Sequence, residues 1–239
     1  MKAMVLCAGY GTRLGDLTRR LPKPMLPVGQ HPMLQYILRQ LARHGFDQIA
    51  LNLHFHPEAI RSHFGDGRQH GVRLVYSWEP ELLGTAGGVG RMGGFLRDGG
   101  TFLVQYGDVL TNQDFTAMLQ FHQQQRALAT ILVHRRARSN SVVRLDAGHR
   151  VVGFVERPTE EERRGVPSEW AFSGVLLAEP DLLDAIPPSV PSDLPRDVFP
   201  RVMAIERLFA FPLTGYRCAV DSPERLAEAR EAVARGLFG

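Results

Sequence analysis

Apolar residues in this chain come in short blocks separated by amphipathic stretches. The AMVLCA run at 3–8 and the QIALNL run at 48–53 read as buried strands. Between them, residues 32–44 (PMLQYILRQLARH) put Met33, Leu34, Ile37, Leu38 and Leu41 on one helical face, and Gly45 serves as a stop. HPEAIRSHFGDG at 56–67 predicts a short helix closed by glycines, VRLVY at 72–76 a strand, and residues 85–97 a glycine-diluted helix. TFLVQY at 101–106 is a buried strand running into Gly107-Asp108. A helix over 114–125, with Asp114 near its start, and a strand over 128–134 follow. Strands alternating with helices argue for a mostly parallel sheet with right-handed crossovers. Ligands bind such sheets beyond the carboxyl ends of the strands, which selects the loops after Cys7 and after Tyr106.

The second half changes character. VVRL, a turn at Asp146-Ala147-Gly148 and VVGFVE predict a hairpin, and WAFSGVLLA at 170–178 a strand. Residues 187–200 hold five prolines, which excludes a regular central element, although DVFPRVM suits a short helix. LFAFPL and RCAV read as strands. PERLAEAREAVAR closes the chain as an amphipathic helix with Pro223 in its first turn. No internal repeat, low-complexity tail or linker is visible, so one domain with an irregular, substrate-facing second half is expected.

Composition adds limits. With 239 residues, 44% hydrophobic and 22% charged, the chain has the make-up of a globular protein with a sizeable core. The apolar run from Ala3 to Cys7 is too short for a signal peptide or a membrane span. Cys7 and Cys218 give neither a disulfide framework nor a metal spacing, and a cytoplasmic setting is the simplest expectation. Net charge is +3, the only lysines are Lys2 and Lys23, and no basic block appears. This points to a small anionic ligand and away from nucleic acid or membrane as partners.

The segment LCAGYGTRLGDLTRRLPKPMLPVG at 6–29 carries the candidate chemistry. Ala8, Gly9 and Gly11 let a ligand approach the backbone, and a helix starting there would aim N–H groups at an anion. Arg13 can grip phosphate oxygens through two parallel bonds. Leu14 stands where a dinucleotide fingerprint needs its third glycine, and no Gly-Lys-Ser/Thr of a P-loop follows. Taken alone, the glycines also suit a plain tight turn. Pro22 and Pro24 would hold Lys23 on a stiff extended arm, ten residues after Arg13, so that two charges converge on one polyphosphate. Asp108, at a strand's carboxyl end, suits a Mg²⁺ ligand or simply a turn aspartate. His54 and His56 alternate as zinc ligands would, but lack a third partner and read as surface residues.

AGYGTRLGDLT, LPKPMLPV and HPML together resemble the signature of the sugar-1-phosphate nucleotidyltransferases, with the mannose-1-phosphate guanylyltransferase branch looking nearest. The likeness continues through LGTAGG at 83–88, QYGDVL at 105–110, FVERP at 154–158, FSGVLL at 172–177, DVFPRV at 197–202 and GYRCAVDSPERL at 215–226. It implies a single α/β domain over 1–239 with a Rossmann-like mixed, mostly parallel sheet flanked by helices. Residues 1–135 would form the nucleotide-binding half and 136–239 the sugar-phosphate-binding half. It also implies that Leu6, Ala8, Gly9, Gly11, Thr12, Glu79, Gly84 and Thr85 bind nucleotide. Arg13 and Lys23 would grip the triphosphate, and Asp108 would act with them as a catalytic residue and Mg²⁺ ligand. Glu156 and Arg157 would hold the sugar phosphate, with Ser173 and Gly174 lining the pocket. The sugar phosphate would attack the α-phosphorus in line and release pyrophosphate, a displacement that depends on positioning and charge neutralisation.

Glu79 lies five residues before Gly84, where relatives often place a base-reading side chain. A carboxylate suits the N1–H and N2–H₂ donors of guanine, so GTP is favoured over UTP or dTTP, although Glu79 also reads as a solvated loop residue. Mannose 1-phosphate or a heptose 1-phosphate is the favoured sugar. Asn140-Ser141 stands where relatives often show an aromatic and a glycine. Where relatives carry their second metal-binding aspartate this chain has Ala219. Asp221, two residues on, is either its replacement or the N-cap of the last helix. Ala219 keeps alive a catalytically weak nucleotide-sugar-binding relative as the alternative to an enzyme. The apolar stripes at 33–41 and 226–233 suit a core face or a homo-oligomer interface.

Overall fold

A computed structural model describes the chain apart from residues 137, 138, 166, 167, 189 and 239. From the N-terminus, β1 (Lys2–Leu6) leads through 3-10 turns at Thr12–Thr18 and Lys23–Met25 to short strands β2 (Pro27–Val28) and β3 (His31–Pro32) and to α1 (Met33–Arg43). β4 (Gln48–Leu53), α2 (Pro57–Phe64), β5 (Arg73–Trp78), α3 (Gly84–Arg91), α4 (Gly93–Arg97) and β6 (Phe102–Tyr106) follow. Next come β7 (Val109–Thr111), α5 (Phe115–Gln124), β8 (Ala129–Arg135), β9 (Ser141–Leu145), β10 (Val151–Glu156) and α6 (Glu160–Gly165). The chain ends with β11 (Trp170–Ala178), α7 (Phe199–Ala204), β12 (Leu208–Pro212), β13 (Arg217–Ala219) and α8 (Pro223–Ala234).

Two compact units emerge, each assembled from separated stretches: Met1–Leu82, Val104–Phe115 and Thr214–Gly239 form the first, Leu83–Leu103 and Thr116–Leu213 the second. In the first, β1 pairs parallel with β4 and β4 with β5, joined by α1 and α2 as crossovers. Met33, Leu34, Ile37, Leu38 and Leu41 are all buried, so α1 packs with the face its periodicity assigns. The Val104–Tyr106 end of β6 lies on the other side of β1. Strand order therefore reverses between β1 and β6, where the loops after both strands open at one sheet edge.

The second unit is mixed. β8 runs antiparallel to β11 and parallel to β12, while β9 and β10 form the predicted hairpin, with Glu156 paired to Ser141. Rings of Phe154, Phe172 and Phe199 meet edge-on, with Phe199 5.2 Å from Phe154 and 5.4 Å from Phe172, tying the end of the hairpin to α7. α/β architecture with a parallel sheet in its first unit thus matches expectation.

Some elements differ. Instead of one helix over 85–97 there are two, α3 and α4, parted at Met92, whose N–H turns back to Val89 O (3.0 Å) beside Gly93-Gly94. β1 stops at Leu6 rather than continuing to Ala8. Pro22 is extended, but Lys23 opens a 3-10 turn rather than standing on an extended arm, because the Leu26 N–H closes back on Lys23 O at 3.1 Å.

Candidate active site

The first unit's site is built from its strand ends. At the end of β1, Cys7 N–H donates to Asn52 Oδ1 (2.8 Å) at the end of β4, and Asn52 Nδ2 donates to Glu79 Oε1 (2.9 Å). Glu79 has 0% exposure, so the solvated-loop reading fails: its carboxylate is interior and takes hydrogen bonding in place of water. The Glu79 carbonyl lies 2.7 Å from His54 Nδ1, which therefore carries the proton, and the Tyr10 hydroxyl donates to the remaining ring nitrogen at 2.7 Å. His54, expected on the surface, is thus a part-buried strut beneath the glycine loop.

Gly11 adopts a left-handed φ of 68°, and a Cβ there would sit 3.1 Å from Thr18 Cγ2 and 3.2 Å from Lys23 Cβ. Thr18 Oγ1 donates to Gly11 O (3.0 Å) and folds the loop over Lys23. Gly9 faces open space. Lys23 Nζ donates to Asp108 Oδ2 at 2.7 Å, with the lysine side chain 12% and the aspartate 33% exposed. Gly107 makes this approach possible. Its N–H donates to Leu6 O (2.9 Å), and a Cβ would lie 2.6 Å from that oxygen and 3.0 Å from Cys7 Sγ. Burial, and then Asp108, push the Cys7 thiol far above its ordinary pKa, which makes it a packing group and not a nucleophile.

β13 pairs antiparallel with β7, Ala219 opposite Val109, and Val220 N–H donates to Asp108 O at 2.8 Å. Asp221 lies past the end of this strand, 3.9 Å from Arg13 NH1, with Arg13 exposed and Asp221 half-buried. Of the two readings of Asp221, the helix cap falls away. Ser222 takes that place, its side chain accepting from Arg225 N–H. Thr12 and Arg13 are exposed on the loop's outer turn, whereas Leu6 and Ala8 sit at its root.

Among the described residues, no three His, Cys, Asp or Glu side chains gather as a metal-ligating group. Besides Asp16 on the loop itself, which pairs with Arg19, Asp108 and Asp221 lie at it, with Lys23 and Arg13 beside them. That donor set fits a Mg²⁺ ion that keeps phosphate oxygens and waters as its other ligands, and does not fit a structural zinc.

In the second unit, Glu156 and Arg157 end β10, with Arg157 Nε 3.9 Å from Glu156 Oε1. Arg157 has φ 49° and donates its N–H to Asn140 O at 2.6 Å. Ser141 Oγ accepts from Phe172 N–H at 2.9 Å, so Asn140-Ser141 pins the residues expected to face the sugar. Burial raises the Glu156 pKa, opposed by Arg157 and Arg196 and reinforced by Asp193. Ser173 is fully buried, 3.0 Å from His134 Nδ1, and Gly174 takes φ 80° in β11, where the pairing register shifts. Gly84 and Thr85 open α3, and both Thr85 donors are engaged by Asp193.

A family model described as nucleotidyl transferase matches residues 2–229. The chain belongs to the nucleotidyl transferase family. A mannose-1-phosphate guanylyltransferase of Mycobacterium tuberculosis is 33% identical over 98% of this chain and 65% of its own length. A UTP–glucose-1-phosphate uridylyltransferase of Synechocystis sp. is 36% identical over 85% of this chain and 55% of its own. The chain thus spans between about half and two thirds of the length of these curated relatives. Among solved structures, a Bacillus anthracis protein crystallised with sucrose has a TM-score of 0.86 at 21% identity, covering 100% of this chain and 98% of that one. A UDP-glucose pyrophosphorylase bound to UDP-glucose gives 0.82 at 18%, covering 98% of both. Both likenesses concern the fold.

Within this member of the family, Arg13, Lys23, Asp108 and Asp221 gather in one unit, as do the loop residues and Glu79. Glu156, Arg157, Ser173, Gly174, Gly84 and Thr85 belong to the other. Asn52, His54 and Tyr10, which organise the loop, went unnoticed in the sequence as a set. Only the alternation of His54 and His56 hinted at more than a plain strand end.

Proposed function

We propose that this chain transfers a nucleoside monophosphate from an NTP to a sugar 1-phosphate, releasing pyrophosphate. The observation that carries the reading is the Lys23–Asp108 contact of 2.7 Å beside a glycine loop, at the reversal point of a parallel sheet. A part-buried cation and a carboxylate held at such a strand end are what a polyphosphate and its counter-ion need. Arg13 and Lys23 would neutralise the pyrophosphate as negative charge develops on it. Asp108 and Asp221 would hold Mg²⁺, which, when bound, supplies further charge neutralisation at the phosphates. The loop from Leu6 to Thr12 would receive the nucleotide, with Gly84 and Thr85 contributing from α3. Glu156, Arg157, Ser173 and Gly174 would receive the sugar phosphate, an oxygen of which attacks the α-phosphorus in line with the departing pyrophosphate.

GTP with mannose 1-phosphate or a heptose 1-phosphate is the favoured pair. GTP is supported by the Mycobacterium tuberculosis relative, whereas Glu79, with no exposed surface, does not itself carry the choice of base in this conformation. A second reading, UTP with glucose 1-phosphate, is favoured by the Synechocystis relative. The cytoplasm is the setting proposed, because both reactants are small anions. The apolar stripe of α8 lends a homo-oligomer no support, because Leu226, Ala229 and Ala232 are already buried within the chain and form a core face.

The test is pyrophosphate release with Mg²⁺ across GTP, ATP, UTP, CTP and dTTP against a panel of sugar 1-phosphates. Release with one pair well above the others supports transfer and names the pair. Nucleotide binding with no release from any pair would favour the sensor alternative over the enzyme.

A further inference from the structure

Helix α3 starts without a side-chain cap of its own, since the residue before it is Leu83. Its first-turn N–H groups are met instead from a segment more than a hundred residues along the chain. Thr85 N–H donates to Asp193 Oδ1 (3.2 Å), and Ala86 N–H and Gly87 N–H both donate to Ser192 O (2.8 and 3.2 Å). Bonds also run the other way: Ser192 N–H donates to Leu83 O (2.9 Å) and Leu194 N–H to Thr85 Oγ1 (2.8 Å). The Thr85 hydroxyl completes the clasp by donating to Asp193 Oδ1 at 3.1 Å. Asp193 is itself held, its N–H donating to Asp197 Oδ2 at 2.6 Å.

Gly84 fits the same picture. Its φ is 74°, and a Cβ there would collide with the Ser192 carbonyl. A free helix N-terminus attracts anions through its unpaired N–H groups. Here the donors of Thr85, Ala86 and Gly87 are already spent on the protein, so Thr85 has neither an amide nor a hydroxyl proton left for a phosphate.

We propose that Asp193 and Thr85 are a positioning pair, which holds the Gly84–Gly87 turn in the conformation the nucleotide requires without touching the nucleotide. The inference rests on the nucleotidyl transfer reading and reassigns Thr85 within it. The clasp also reaches the sugar-phosphate residues of the same unit, because Asp193 and its neighbour Arg196 act on Glu156 with opposite sign.

The test compares Thr85→Val, Thr85→Ser, Asp193→Ala and Asp193→Asn in the full chain, by steady-state kinetics and by amide hydrogen exchange at Ala86 and Gly87. Thr85→Val is expected to raise KM for the NTP by about tenfold, the loss of a committed hydrogen-bond pair. KM for the sugar phosphate should stay within about threefold, and exchange at both amides should speed up. Thr85→Ser, which keeps the hydroxyl, should restore NTP KM and protection. Asp193→Asn should resemble it, since its side-chain oxygen still accepts, and Asp193→Ala should resemble Thr85→Val.

Faster exchange with an unchanged NTP KM would overturn the proposal, as would unchanged exchange in Thr85→Val. Asp193→Asn behaving like Asp193→Ala would also overturn it, because charge and not the clasp would then matter. Should Thr85→Val fail to fold, the two Asp193 variants decide. If the wild-type chain transfers nothing, the transfer reading fails separately, and the clasp is judged by exchange and by the Kd for GTP. Loss of GTP binding in Thr85→Val with rescue in Thr85→Ser supports it, and equal binding in both refutes it.

Discussion

Lys23→Met removes the ammonium and keeps most of the stem, so it separates the lysine's charge from its packing. Its Nζ lies 2.7 Å from Asp108 Oδ2. At an effective dielectric near 20, unit charges this close attract by about 6 kcal/mol before costs. Desolvating the lysine and freezing its rotamers offset most of that, and Asp108, a third exposed, is screened by solvent. A net contribution of about 1–2 kcal/mol to stability remains, which for a chain of this size lowers Tm by roughly 2–8 °C. Catalysis should suffer more. A preorganised donor lost at the developing pyrophosphate costs about 3–4 kcal/mol, a fall in kcat of ~10²–10³. Pyrophosphate release at saturating substrates, measured with a melting curve, reads both numbers on one sample. A folded Lys23→Met protein that turns over within about threefold of wild type would refute the phosphate-gripping role, whatever its Tm.

Asp221→Asn should raise the Mg²⁺ concentration at half-maximal release by about tenfold while moving Tm little, since Ser222 and not Asp221 caps α8 and Arg13, which pairs with Asp221, is exposed. A superimposable magnesium titration would strip Asp221 of that role. Glu79→Gln keeps an acceptor for Asn52 Nδ2 and changes no exposed surface, so the NTP ranking should stay that of the wild type; a shift away from GTP would show that the carboxylate reads the base. Burial holds the His122, His70 and His44 rings below their ordinary value of 6.5, with Glu179 opposing at His122. The unfolded chain therefore binds more protons than the folded one just below pH 6.5, so stability rises with pH through that window and is lost as pH falls beneath it. Tm should drop between about pH 7 and pH 5.5, and less steeply in His122→Gln; parallel curves would place the effect elsewhere.

Legibility in the sequence followed the range of the interaction. β4 at 48–53 and β11 at 170–178 appear with the bounds their apolar runs assign, and α1 buries the face its spacing marks, because those signals are contained in each segment. Pro22-Lys23-Pro24 misled because the prolines hold Pro22 extended but do not stop the N–H groups of Met25 and Leu26 from closing back on Pro22 O and Lys23 O as a 3-10 step. The Ser222 cap was readable, as a serine before a proline and a glutamate is a helix-start signature, but the carboxylate next to it drew attention.

What stayed hidden had partners far away. Glu79 reads as loop-like until Asn52, 27 residues earlier, reaches it, and a lone carboxylate cannot announce that it will be buried. Thr85 and Asp193 sit 108 residues apart, one in a glycine-rich turn and the other in a proline-rich stretch, and each taken alone looks irregular. Irregularity in both has one cause. A glycine turn that must sit against a foreign carbonyl cannot carry side chains, and a strap that spends its own N–H and C=O groups on that turn cannot spend them on a sheet. Glycines and prolines here mark two surfaces of one contact, and the local rules that read them as breaks describe what each segment gives up to make it.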